Sequence, residues 1–258
     1  MRKKNMLLLV LLVAVAVISA TALQNPSTKK QVSHEQEATP VQEGVMTKEQ
    51  RVHSRLFKEQ KGIGKKLSEI ADEQSDNEGV VVEALPGLPM LSPQGESVSK
   101  DTLEKTAGGA DAIVIGVVNN KTSQLTETGM FTFTDYDVTV QEVLKSNSSI
   151  KAGGQITVTQ PGGTVLLNGR TISAIDRTSK PLEVGGRYLL FLQAVPATGA
   201  YQAVGKLSAF NLADTNASAL TDDPLLPTEF RGIIDASLLI NKVRAAVASG
   251  SAKQGGVN

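Results

Sequence analysis

A mainly β fold, a small self-closing sheet of five or six strands with helices on either side, is predicted by three observations. Seven of the nine aromatic residues fall between Ala110 and Leu212. Within that stretch, apolar runs of strand length alternate with turn signals such as Ala152-Gly153-Gly154, Pro161-Gly162-Gly163 and Pro196–Gly199. The first run, Ala112 to Val118, contains Gly116, and a glycine inside a strand marks a bend or a close approach of backbones where a sheet curls.

At the start of the chain, Arg2, Lys3 and Lys4 precede an apolar run from Met6 to Ile18 and the small-residue exit Ser19-Ala20-Thr21-Ala22. Residues 1–22 read as a secretory signal cut after Ala22. A second fate fits too: residues 6–23 are long enough to be kept as an inner-membrane anchor. Either fate exports the rest, to the periplasm or beyond, with membrane contact only through that uncleaved segment. The chain has no cysteine, which excludes a lipid-anchored amino terminus, disulfides and thiolate metal sites. Its 26 cations balance 26 anions, and loss of the three in the signal leaves −3. No cationic excess remains to displace counterions from phosphates, so nucleic acid is excluded as a general partner.

Residues 23–46, polar with Pro26 and Pro40, read as a disordered tether. A helical segment follows over 47–76. Thr47-Lys48-Glu49-Gln50 has the capping-box pattern, and Val52, Leu56, Ile63, Leu67 and Ile70 form one apolar stripe. Gly62 and Gly64 predict a break, while His53 falls on the solvent side and seven cations cover the outer face. Residues 77–102 form a Pro-rich extended linker with a short strand at 79–83 and anchors at Leu88, Met90 and Leu91; Ser99 to Thr106 reads as a short helix.

The β domain spans 103–212, with strands at 112–118, 131–144, 155–160, 165–175, 187–195 and 201–210. In the second strand the apolar phase, Phe131 and Phe133 and then Tyr136, Val138 and Val140, slips by one residue at Thr134-Asp135. Side chains alternate faces along a strand, so the slip predicts a bulge there. Residues 213–258 read as a polar linker, a final helix from Pro227 docking through Phe230, Ile233, Leu238 and Val243, and a loose tail.

Four segments carry a family resemblance: Ala110-Asp111-Ala112-Ile113-Val114-Ile115-Gly116, Tyr136-Asp137-Val138-Thr139-Val140, Glu142-Val143-Leu144-Lys145, and Leu182-Glu183-Val184-Gly185-Gly186-Arg187-Tyr188-Leu189-Leu190-Phe191. Over about two-fifths of the chain this order resembles uncharacterised secreted bacterial proteins. More distantly it is similar to the OB-type barrel of netrins and tissue inhibitors of metalloproteinases. The resemblance implies a small OB-like barrel. The zinc-directed amino-terminal cysteine of those inhibitors has no counterpart here, so their mechanism does not carry over.

The only histidines, His34 and His53, precede the β domain, which excludes a Ser-His-Asp triad or a His-based zinc site within it. No cofactor or metal is expected. The leading expectation is a non-enzymatic binding or protein-interaction module whose partner is an exported protein or a cell-envelope component. OB-type barrels bind on strands two and three and the adjoining loops. By that analogy the binding residues are Thr132, Thr134 and Tyr136, with Asn119, Asn120 and Glu127 in the loop between the first two strands. Two alternatives remain: a hydrolase of envelope or extracellular polymers using Asp135, Asp137 and Glu142, and a protease inhibitor acting through barrel loops. The Asn-x-Ser/Thr matches at Asn120 and Asn216 read as turns.

Overall fold

A computed structural model describes residues 39–40, 46–57, 64–73, 80–83, 103–146, 150–176, 179–203, 207–221, 223 and 226–254. The signal or anchor at 1–22, most of the tether, the anchors Leu88, Met90 and Leu91, and the end of the tail lie outside the described residues, all of which belong to one compact unit, Glu37–Asn258.

The protein is mainly β. Strands β1 (Thr39–Pro40), β2 (Val80–Glu83), β3 (Ala112–Leu125), β4 (Thr132–Ser146), β5 (Gln155–Pro161), β6 (Gly163–Leu167) and β7 (Arg170–Ile175) are followed by β8 (Arg187–Ala194), β9 (Ala200–Ala203), β10 (Ala209–Ala213), β11 (Asn216–Ala219) and β12 (Ile233–Asp235). Helices are α1 (Lys48–Leu56), α2 (Leu67–Glu73), α3 (Leu103–Gly109) and α4 (Ala236–Gln254). Five strands close into a ring in the order β3-β4-β5-β9-β8, with β8 returning to pair with β3. The β5–β9 pairing is parallel and the rest of the ring is antiparallel. Strands β10, β11 and β12 extend outward from β8, and a second sheet has the order β1-β6-β7-β2.

Inside the ring, Val114, Val138, Val140, Val158, Leu190 and Tyr201 come from all five strands. Outside it, α3 and α4 cover β3, β8 and β10 through Ile113, Leu189, Phe191, Phe210, Leu239 and Val243. A smaller core joins α2 and β2 to the β6–β7 hairpin through Leu67, Ile70, Val82, Val165 and Ile172.

Gly116 behaves as its place in the strand predicts. A Cβ there would lie 2.5 Å from Val138 Cγ1 and 2.9 Å from the Thr139 carbonyl, and the pairing with β4 shifts register at that point. The Gly185-Gly186 pair of the resemblance segments has a steric cause as well. Gly185 has φ +82°, and a Cβ on Gly186 would strike the ring of Tyr188, whose hydroxyl accepts from the Glu183 backbone N–H at 2.8 Å.

Several expectations are corrected. No bulge lies at Thr134-Asp135, where β4 runs in continuous register with both neighbours. The irregularities fall instead at Leu144 and Gln141 of β4 and Asn119 of β3, each skipped in the pairing. The apolar phase never slips: Tyr136, Val138 and Val140 face the ring interior, whereas Phe133 is buried on the outer side beneath α1, where Phe57 stacks on it at 6.2 Å.

The run 165–175 is two strands, because Asn168 and Gly169 both take positive φ (51° and 77°) and make a tight hairpin. The run 201–210 divides between β9 and β10, since β8 pairs with β10 along its first half and β9 along its second. Asn120 and Asn216 lie in strands rather than turns. The carboxy-terminal helix begins at Ala236, where Asp235 accepts from the Leu238 N–H at 2.7 Å. Ile233 belongs to β12, and Leu238 is 56% exposed because Leu239, Val243 and Ala246 form the docked face.

Candidate functional site

The outer face of β4 and β5 differs from the rest of the ring surface. Period-two alternation puts Phe133, Asp135 and Asp137 of β4 on that face, flanked by Thr122 and Gln124 of β3 and Thr157 and Thr159 of β5. Helix α1 lies across it. Its start is set by the predicted capping box: the Gln50 N–H donates to Thr47 Oγ1 at 3.1 Å and the Thr47 N–H to Gln50 Oε1 at 2.8 Å. Glu49, His53 and Phe57, at i, i+4 and i+8, share one side of the helix.

His53 is therefore not on the solvent side. It is 4% exposed, while Leu56 of the expected stripe is 37% exposed. The buried side of the helix is one residue out of phase with its aliphatic stripe because the surface beneath offers a carboxylate and a phenyl ring. His53 Nδ1 approaches both oxygens of Asp135, at 3.0 Å to Oδ1 and 3.1 Å to Oδ2. A carboxylate only accepts, so Nδ1 carries the hydrogen, and a single N–H serves one oxygen at a time. Asp135 Oδ1 and His53 Nε2 have no hydrogen-bond partner of their own, nor has Thr159 Oγ1, whose residue pairs with Asp135 across the strands. The helix is further held by Ser54 Oγ, which accepts from the Glu127 N–H at 2.6 Å, by Phe57 on Phe133, and by Arg55 Nε at 3.3 Å from Glu127. The predicted helix break is present, with α1 ending at Leu56 and α2 starting at Leu67.

Beside the histidine opens a groove of about 470 Å³, a size suited to a small molecule or a peptide side chain. Its walls are the amino-terminal part of α1, the outer faces of β3, β4 and β5, and Thr198-Gly199 before β9. Glu49, His53, Asp135 and Asp137 line it, and among its described lining residues none is Lys or Arg. Apart from Ile156 and Ala200, the other lining residues are hydroxyl- or amide-bearing side chains and Gly199.

The predicted binding residues do not come together. Thr132 and Thr134 are buried inside the ring, and their hydroxyls donate to the carbonyls of Gly163 (3.2 Å) and Gly162 (2.7 Å). Tyr136 is 2% exposed, and burial pushes its phenol well above its ordinary pKa, with hydrogen bonds to the Leu182 backbone and Thr134 pulling it only partly back. These three side chains brace the interior and offer no surface to a ligand. Asn119 and Asn120 are exposed on β3, donating to Thr139 Oγ1 (2.6 Å) and Asp137 Oδ2 (3.4 Å). Glu127 is partnered by α1. None of the six lines the groove.

The carboxylate trio also disperses. Asp135 lies under His53, Asp137 is exposed at the groove, and Glu142 pairs with Arg244 of α4 at 2.7 Å on another wall. Among the described residues no group of three or more acidic or histidine side chains is arranged to hold a metal ion, and no helix is long and apolar enough to cross a membrane. The exclusion of histidine chemistry from the β domain fails on contact geometry, since α1 brings His53 onto β4. The available signal was the shared oddity of Phe133 and Phe57, each off the expected apolar phase and each looking for a partner.

No family model matches the chain. No curated protein matches it.

Proposed function

We propose that the chain is an exported, non-enzymatic binding or protein-interaction module built on an OB-like barrel, and that its ligand site is the groove beneath α1. Counted in chain order within the ring, the fourth strand (β8) lies beside the first (β3), and the first three are successive neighbours. That is a Greek-key closure, the arrangement of OB-type barrels. It supports kinship with the secreted bacterial family and, at the level of fold, with the netrin and metalloproteinase-inhibitor barrel. The observation that carries the functional reading is the position of the groove. It lies over the second and third ring strands and beside the loop entering the fifth, where OB-type barrels take ligands.

The His53–Asp135 pair orients an imidazole without any nucleophile recorded on its far side, which favours recognition over chemistry. The test is capture from periplasmic and cell-wall extracts by the full chain and by Thr157→Trp, which fills the groove. A partner kept by the natural chain and lost with the variant is expected. Capture indifferent to the variant, or no capture, refutes the reading. Export is checked by fractionation and amino-terminal sequencing: a start at Leu23, or an intact amino terminus in the membrane fraction, is expected, and an intact chain in the cytosol refutes it.

A further inference from the structure

We infer that the groove selects a cationic, N–H-bearing group, a primary ammonium or a guanidinium; the inference rests on the groove being the ligand site and names what it holds. Three carboxylates, Glu49, Asp135 and Asp137, reach its walls, and no Lys or Arg among the described lining residues offsets them. The independent observation is His53. It lines the groove, it is more than nine-tenths buried, and its Nε2 has no partner. With Nδ1–H committed to Asp135, the neutral imidazole presents Nε2 as an acceptor. Burying such an acceptor without a donor is costly, and a ligand N–H removes that cost.

Carboxylates and an imidazole lone pair share one demand: they accept hydrogen bonds and none of them donates. An ammonium or guanidinium supplies several donors together with the compensating charge, as an anionic or neutral ligand does not. The near absence of apolar lining, Ile156 and Ala200 apart, excludes a ligand held by hydrophobic burial. The chemistry is shared by two sources, a Lys or Arg side chain on an extended polypeptide and a free polyamine.

The experiment titrates the full chain at constant ionic strength with trilysine, triarginine, spermidine and triglutamate, following heat and backbone amide shifts. The cations are expected to bind and triglutamate is not, with shifts concentrated at Thr122, Gln124, Thr157 and Thr198. Asp137→Asn, at an exposed position, should weaken cation binding by about tenfold, the size of one charge-assisted hydrogen bond. Glu49→Gln should have a smaller effect in the same direction. Tighter binding of the peptides than of spermidine identifies a basic polypeptide, the reverse a free polyamine, and both uphold the inference. Cations that bind the natural chain and Asp137→Asn equally overturn it. So does binding of triglutamate alone, or of none of the probes. Those failures leave the binding-module reading intact as long as capture from extracts remains sensitive to Thr157→Trp; loss of that sensitivity removes the reading itself.

Discussion

Two helices dock on the outside of the same ring, and they dock by different physics. On the β3–β8–β10 side, α4 buries Leu239, Val243 and Ala246 against Ile113, Leu189, Phe191 and Phe210, with α3 adding Leu103 and Ala107. Every contact in that set is apolar. Lys145 completes the attachment, donating to the carbonyls of Ala107, Gly108 and Ala110 at 2.6–3.1 Å, where a cation meets the negative end of α3. On the β4–β5 side, α1 rests on one phenyl stack, one histidine–carboxylate pair and one hydroxyl, and it leaves buried acceptors and a polar groove. The first interface is a core. The second is an attachment that leaves hydrogen-bonding capacity unused, which a purely structural contact has no reason to do.

The comparison can be broken on its strong side first. Phe191→Ala removes a side chain that is 1% exposed and packs on Phe210 at 6.4 Å, and should destabilise the protein by about 3–5 kcal/mol in chemical denaturation. A loss below about 1 kcal/mol would show that this face is no core.

The ring interior common to both sides is probed by alkali. Burial raises the pKa of Tyr136 and Tyr188 above the ordinary value of 10.0, so the native state keeps these protons where the unfolded chain releases them. Their contribution to stability is complete below pH 10 and falls as pH rises toward the native-state values. Phenolate absorbance should appear together with unfolding, and both helices should be released at once. Phenolate formation in a folded protein would contradict the buried placement.

On the weaker side, His53→Ala leaves Asp135 and Thr159 without their neighbour and should cost about 1–3 kcal/mol. The discriminating readout is hydrogen exchange: amides of α1 should lose protection while those of α4 keep theirs. Equal loss in both helices would mean that the two attachments are one cooperative unit. The smallest effect is expected for Arg244→Ala. Its partner is Glu142, and with side chains 52% and 42% exposed, solvent screening limits the loss to about 0–1 kcal/mol in a melting experiment.

Much of the ring was legible from residue order. The starts of β3, β4, β5 and β8, the bend at Gly116, the capping box at Thr47 and the helix break near Gly64 all come from interactions within a few residues of one another. The errors have a common origin. Phe133, Asp135 and Asp137 looked like the far side of a bulge because burial was assumed on one face only, whereas α1 covers the second. Val52 and Leu56 looked like the docking stripe because apolar periodicity was taken to face apolar surface, but the helix meets a carboxylate. Thr132, Thr134 and Tyr136 looked available because threonine and tyrosine are ambiguous residues; here they satisfy carbonyls and fill volume inside the ring. The hairpin at Asn168-Gly169 was readable and was missed among flanking β-branched residues.

Residue order alone determined the export expectation, the reliance on packing without disulfides, and the presence of a curled β domain, since composition, runs of like residues and turn chemistry act locally along the chain. Only the tertiary structure decided the meeting of His53 with Asp135, 82 positions apart, and with it the groove. No local periodicity encodes that pairing. It follows from which face of α1 and which face of β4 are left uncovered once the ring has closed, and that is a property of the whole packed assembly.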